Sequence, residues 1–252
     1  MVRGIRRASL IHRSNIDWTD YSLNTYVGCQ HGCRYCYGMI NVARRFRHLM
    51  PSSGVWTDPD YIVNAPELAA REVRKIKPPA TIMVCSLCDP YQPIEARLGI
   101  TRKTLEALFA NMEPGVKVLI LTKSDLVRAD FDLLEEHRDK VELGMTVISL
   151  KANKYEPKAS KPNNRLSVLR EAHRRGIRTF ISIEPWIPGI TDPVEIMKAT
   201  KKYVDWYILG RLNYHKVPRG FYKRHMPEVI DFVESEGIEL FIKKELRREM
   251  ER

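Results

Sequence analysis

The chain has 252 residues, 44% of them hydrophobic, and a formal net charge of +11. That length suits one large domain with a substantial buried core, and no uncharged apolar run reaches the roughly 18 residues that a membrane span needs. Five cysteines, an odd number, argue against a paired disulfide framework and for a reducing, cytoplasmic setting.

The first segment, "MVRGIRRASLIHRS", is basic but lacks the apolar stretch and small-residue cleavage site of a signal peptide. Residues 1–50 hold eight Arg against two acids, Asp17 and Asp20, so more than half of the surplus charge lies in the first fifth of the chain. A polyanion such as DNA or RNA is a natural partner for this region. A solvated basic surface, with some Arg neutralising an anionic centre, explains it too. Next comes "GCQHGCRYCYG", residues 28–38, with Cys29, Cys33 and Cys36 in a C-x3-C-x2-C spacing. A structural zinc site wants four ligands, usually as two separated cysteine pairs. A cubane iron–sulfur cluster has four corners, each normally held by a thiolate. Three cysteines on one loop hold three corners and leave one iron open to a small molecule. A zinc loop completed from a distance, by His31 within it or by Cys85 or Cys88, is the rival reading. Arg44, Arg45 and Arg47 follow on an expected helix with His48 beside them, as phosphate contacts or as a solvated face.

Residues 51–66, rich in Pro, Ser and Asp, read as a loop insertion. Beyond it, short β-branched runs at 80–86, 116–122, 141–147, 178–184 and 205–210 read as buried parallel strands. Helical stretches are expected at 66–76, 101–111, 130–139, 163–175, 192–202 and 225–236, the fourth capped by Asn163 or Asn164 and stopped near Gly176. Residues 237–242 add an edge strand before a charged final helix. This alternation predicts an α/β fold with a parallel sheet, open or curled into a partial barrel. Ligands bind such sheets at the carboxyl ends of the strands. Those ends carry Cys85, Ser86, Cys88 and Asp89, then Thr122 and Lys123, Thr146 and Ser149, Ser182 and Glu184, and Arg211 and Asn213. Tyr91, Trp186 and Tyr214 are candidates for stacking on a base, or core aromatics.

The cysteine loop, with Tyr35 in the aromatic position of C-x3-C-x-Φ-C, is similar to the signature of the radical S-adenosylmethionine (SAM) superfamily. "NTYVGCQHGCRYCYG", "CDPYQPIEARLGITRKTLEAL", "VLILTKSDLVRADFDLL" and "YEPKASKPNNRLSVLREAHRRGIRTF" resemble the spore photoproduct lyases and their lyase-like relatives, which are DNA-repair enzymes. "IDWTDYSLN" and "FISIEPWIPGI" resemble a phage-encoded radical SAM-like family. The likeness runs over about residues 16–210. It implies a partial (β/α)6, TIM-like barrel of radical SAM type over about 20–212, with a C-terminal extension from about 213 to 252.

The resemblance further implies a 4Fe–4S cluster on Cys29, Cys33 and Cys36. SAM would chelate the open iron and be cleaved reductively to a 5′-deoxyadenosyl radical, with electrons from a donor such as flavodoxin or ferredoxin. Tyr35 would lie near the adenine, and Lys123 matches a lysine that binds the SAM carboxylate. Ser86, Asp89, Thr146 and Glu184 are candidates for the amino and ribose contacts. The "GGE" of many radical SAM enzymes is missing, and Asp89 is its leading substitute as the ammonium-binding group. Cys88, ahead of Cys85, is the candidate hydrogen donor to a product radical; a redox pair of the two, or a purely structural role, stands beside it. The implied substrate is a nucleic acid lesion or modification. A peptide or small metabolite is the alternative within the enzyme class, and a non-catalytic metal protein that binds nucleic acid is the alternative outside it.

Overall fold

The computed structural model describes residues 3–42, 45–46, 49–152 and 154–251. Eleven strands occur among these residues: β1 (Gly4–Ile5), β2 (His12–Arg13), β3 (Tyr21–Leu23), β4 (Tyr26–Val27), β5 (Asp60–Ile62), β6 (Ala80–Val84), β7 (Val116–Thr122), β8 (Val141–Thr146), β9 (Arg178–Trp186), β10 (Trp206–Arg211) and β11 (Leu240–Ile242). The main sheet runs β11-β10-β9-β8-β7-β6-β3-β2, parallel throughout except for the antiparallel edge pair of β2 and β3. A small sheet, β1-β5-β4, lies apart from it.

Among the described residues, α-helices alternate with the strands: α1 (Ala65–Val73), α2 (Glu95–Leu98), α3 (Ile100–Phe109), α4 (Phe131–Glu136), α5 (Pro162–Arg174), α6 (Pro193–Thr200), α7 (Phe221–Glu236) and α8 (Lys244–Glu251). Six strand–helix units therefore run from β3 to α7, a partial (β/α)6 barrel, and β11 with α8 adds a seventh parallel strand and its helix. The sheet curls. Asp17, just after edge strand β2, accepts a 2.6 Å hydrogen bond from the Lys244 amide, just after edge strand β11. Trp18 likewise meets Phe180 of β9 and Trp206 of β10 edge-on.

Side chains alternate along each strand, and this decides what faces the interior. In β9, Ile181 and Ile183 pack outward into the large core under the helices, while Phe180 turns inward onto Trp206 and Ile208. In β8, a Cβ on Gly144 would lie 2.3 Å from the Phe180 ring, so glycine there makes room for the aromatic layer. Glu142 closes the amino-terminal end, accepting from the Trp206 indole at 2.8 Å and from Arg178 at 3.0 Å. Among the described residues no helix is long and apolar enough to cross a membrane.

Three local expectations change. The short strands β1–β5 escape a pattern search because two or three residues show no period. Helix α5 begins on Pro162, with Lys161 in the cap position and no capping side chain; proline's fixed φ suits the first turn. Asn164 instead reaches Asp125 at 2.9 Å. Residues 51–66 are no outlying insertion, because they include β5 and bury Trp56 to 5% exposure against Cys29.

Candidate active site

One cavity of about 370 Å3 opens at the carboxyl ends of the parallel strands. Cys29, Cys33 and Cys36 line it, together with His31 and Tyr35 from the same loop. The loop is held in place by backbone bonds: the Cys29 amide donates to the Trp56 carbonyl at 2.8 Å, and the Arg34 amide to Tyr155 at 2.8 Å. Ten strand-end residues expected from the sequence also line the cavity: Cys85, Ser86, Cys88, Asp89, Lys123, Thr146, Ser182, Glu184, Arg211 and Asn213. Thr122 and Ser149 do not, and Thr122 instead donates to Asp89 at 2.6 Å.

Burial pushes the Cys33 thiol up to about 11, with Lys123 pulling the other way. Cys29 is also pushed well up, by burial first and then by Asp89. Burial thus favours the protonated thiol at both positions, so a metal bound there would have to displace those protons. Among the described residues no three His, Cys, Asp or Glu groups are placed to hold a metal ion, and the three loop thiols line the cavity without forming such a group.

Lys123 lines the cavity with its ammonium 5.9 Å from the centre of the Tyr35 ring, and it forms no ion pair among the described residues. Burial alone would lower its pKa, but Cys33, Glu156 and Asp89 hold it above the usual value. Beneath it lies a pair that sequence reasoning missed: Glu156 and Arg165, both buried, joined at 2.7 Å. Glu156 accepts from the Tyr35 hydroxyl, and Arg165 also donates to the carbonyls of Thr146 at 2.9 Å and Ser160 at 2.8 Å. Burial opposes charge on Glu156, yet Arg165 holds its pKa below the usual range. Arg165 looks like any surface cation of an amphipathic helix, so only the fold distinguishes it.

Asp89 is buried and heavily engaged. It accepts from the amides of Tyr91 and Lys123 at 2.9 and 2.8 Å as well as from Thr122. His31 Nε2 lies 3.2 Å from Asp89 Oδ2 but off the line a hydrogen bond needs, which leaves that nitrogen without an aligned partner. Despite burial, His31 and Lys123 hold the Asp89 carboxyl far below the usual range. Glu184 is paired with Lys243, at 2.8 and 3.1 Å. Ser86 accepts weakly from Asn24 at 3.4 Å, and its carbonyl accepts from Tyr37.

Cys85 takes a left-handed backbone, φ 61°, at the end of β6. A non-glycine residue there costs about 1–2 kcal/mol, and the turn it makes brings Ser86, Leu87 and Cys88 onto the cavity wall. Its thiol is buried 3.2 Å from Thr25. Cys88 is half-buried, donates to the Tyr26 carbonyl at 3.4 Å, and packs beside Cys29 and Trp56. Of the three aromatics considered for stacking, Tyr91 and Trp186 are core: Tyr91 donates to Asp130 at 2.9 Å and Trp186 packs on Phe221 and Tyr222. Tyr214 alone of the three lines the cavity, at 54% exposure. Arg44, Arg47 and His48 lie outside the described residues, and Arg45 is exposed.

The cavity carries unpaired buried donors. Among the described residues Trp18 Nε1, Trp56 Nε1 and Arg211 Nε have no hydrogen-bond partner, and all three side chains line it. Such groups are donor-only, and buried donors are rarely left unpaired. A ligand rich in acceptor atoms, such as sulfide and carboxylate, fits these walls.

A family model described as "Protein of unknown function (DUF5131)" matches residues 13–245. The chain belongs to that family. An uncharacterised protein of Methanocaldococcus jannaschii is 29% identical over 260 residues, covering 93% of each chain. Among solved structures, a cysteine-to-alanine variant of spore photoproduct lyase superposes with a TM-score of 0.70 at 16% identity, over 96% of this chain and 82% of that one. The complex of such a variant with dinucleoside spore photoproduct gives 0.56 at 17% identity, over 99% of this chain and 64% of that one. Streptococcus suis SuiB bound to S-adenosylmethionine gives 0.62 at 12% identity, over 88% of this chain and 49% of that one. The DUF5131 chain thus shares the partial barrel of these enzymes while spanning about half of SuiB.

Proposed function

We propose that the protein is a radical SAM enzyme of the spore photoproduct lyase-like kind, acting on a nucleic acid lesion or modification. The observation that carries this reading is the convergence of the three loop thiols and the unpaired Lys123 on one barrel cavity. When bound, a 4Fe–4S cluster with SAM supplies reductive SAM cleavage and hydrogen abstraction from substrate. Cys29, Cys33 and Cys36 would hold the cluster, and Trp56, buried against Cys29 with an indole N–H that has no partner among the described residues, would offer it a donor. Lys123 compensates the SAM carboxylate, and the Glu156–Arg165 pair fixes Tyr35 beside it. Cys88, half-buried on the wall, would be placed to give its S–H hydrogen atom to a substrate-derived radical, leaving a thiyl that one electron from the external reductant and one proton would return to the thiol. The eight Arg against two acids in residues 1–50 support a polyanionic partner.

The test is anaerobic reconstitution followed by iron and sulfide analysis and incubation with reductant and SAM. Full clusters and 5′-deoxyadenosine are expected; their absence under conditions that load a known radical SAM enzyme defeats the reading. DNA and RNA oligonucleotides are then titrated at several salt concentrations. A linear fall of log affinity with log salt is expected; no binding leaves a peptide or small metabolite as the substrate.

A further inference from the structure

The cavity's unpaired buried donors fall into two groups among the described residues. Trp56 Nε1, packed beside Cys29, belongs to the cysteine end. Trp18 Nε1 and Arg211 Nε belong to a wall that other elements build. Trp18 precedes β3, and its ring lies edge-on to Phe180 and Trp206, with centroids 5.9 and 6.2 Å away. Arg211 ends β10, and its Nη1 donates to Glu249. Apolar Met83 and Leu121 line the same cavity.

Charge on this wall is already matched. Lys243 pairs with Glu184 and Arg211 with Glu249, while Asp17 and exposed Glu245 add further carboxylates to the lining. A phosphate or carboxylate therefore meets no surplus of positive charge here; the carboxylate of SAM has Lys123 at the cysteine end. What the wall lacks is acceptors. Trp18 Nε1 and Arg211 Nε can only donate, and a buried donor left without a bond is costly. The nearby acceptors are engaged, Glu184 by Lys243 at 2.8 and 3.1 Å and Asp17 by the Lys244 amide at 2.6 Å.

We propose that Trp18 and Arg211 are specificity-determining residues that donate to a carbonyl oxygen of an uncharged base, so that the enzyme takes a keto base such as uracil in preference to an amino base such as cytosine. The proposal rests on the reading of the protein as a radical SAM enzyme of nucleic acids. A carbonyl satisfies these donors without bringing charge to a wall that has none to spare. An exocyclic amino group turns hydrogens toward them and leaves them unpaired. Met83, Leu121 and the Trp18 ring offer the base apolar contact.

The experiment uses the reconstituted full chain with SAM and no reductant, and two short single strands of equal length, oligo(dU) and oligo(dC), titrated by fluorescence anisotropy at one salt concentration. Their backbone charge is the same, and their bases differ in the edge that carries carbonyl or amino. The wild type is expected to bind oligo(dU) about tenfold more tightly. Trp18→Phe keeps a ring against Phe180 and Trp206, and Arg211→Lys keeps a charge beside Glu249; each removes one donor. Each should cut the preference to roughly threefold or less, with oligo(dC) affinity, cluster content and SAM binding unchanged. Equal wild-type affinities for the two strands overturn the proposal. So do variants that keep the wild-type preference, and if these also bind SAM more weakly the donors belong to the cofactor. A wild type that binds neither strand overturns the nucleic-acid reading itself, a distinct result.

Discussion

Two parts of the cavity are built on opposite principles. On one part of the wall, polar groups satisfy one another within the protein: Glu184 pairs with Lys243, and Asp17 accepts from the Lys244 amide. At the cysteine end, three thiols line the same space as the Lys123 ammonium and the Trp56 indole, and among the described residues the ammonium has no ion pair and the indole no hydrogen bond. Burying polar groups unpaired is costly, so the second arrangement is what a ligand-holding wall looks like, and the first is what a self-supporting frame looks like. The frame links the two edges of the sheet, whereas the cysteine end is supported from below by the buried Glu156–Arg165 pair.

The sharpest way to break this contrast is at the thiols. Replacing any one of Cys29, Cys33 or Cys36 with Ala is expected to abolish cluster loading and SAM cleavage, read as iron content and 5′-deoxyadenosine. A variant that kept both would place the ligand wall elsewhere. Next in size is the support beneath it. Arg165→Leu leaves Glu156 buried and uncompensated, which should cost about 3–5 kcal/mol of stability, measured by denaturant unfolding of the apo protein. A loss under about 1 kcal/mol, within the range of an exposed pair, would mean that the pair is not the platform described.

Lys123→Ala addresses the wall without touching its support. A lost charge-assisted hydrogen bond of about 1.5–3 kcal/mol predicts a roughly ten- to hundred-fold weaker SAM dissociation constant with cluster content unchanged. An unaltered constant would make Lys123 a solvated lysine past a strand end. The smallest effect is expected at the Lys243–Glu184 pair, whose side chains are 17% and 24% exposed, where Lys243→Met should lower stability by about 1–2 kcal/mol, between an exposed and a fully buried pair. It should alter SAM affinity less than Lys123→Ala does. A larger effect on SAM would transfer Glu184 and its partner from the frame to the ligand wall.

Much of this architecture is legible along the chain. The runs at 116–122 and 178–184 are long and β-branched, and they became β7 and β9 with little change of bounds. Their ends supply Lys123, Ser182 and Glu184 to the cavity because alternate residues of a curled parallel sheet face inward. Less legible were β3, which has three residues, and Trp56, whose stretch of Pro, Ser and Asp gives no apolar signal. Tyr91 and Trp186 carry chemistry suited to stacking, yet both are packed away in the core.

The sequence by itself determined the alternation of strands and helices, the three-thiol loop and the polar residues at strand ends, because these depend on local spacing and propensity. Only the tertiary structure decided which strand-end groups are free and which are spent. Asp89 already accepts from the amides of Tyr91 and Lys123 and from Thr122, and Glu184 is tied to a lysine 59 positions away. The Glu156–Arg165 pair and the closure of β2 onto β11 through Asp17 are likewise products of curling the sheet. Pairing is a property of through-space distance, and residues far apart along a chain carry no local mark of the partner that folding will give them.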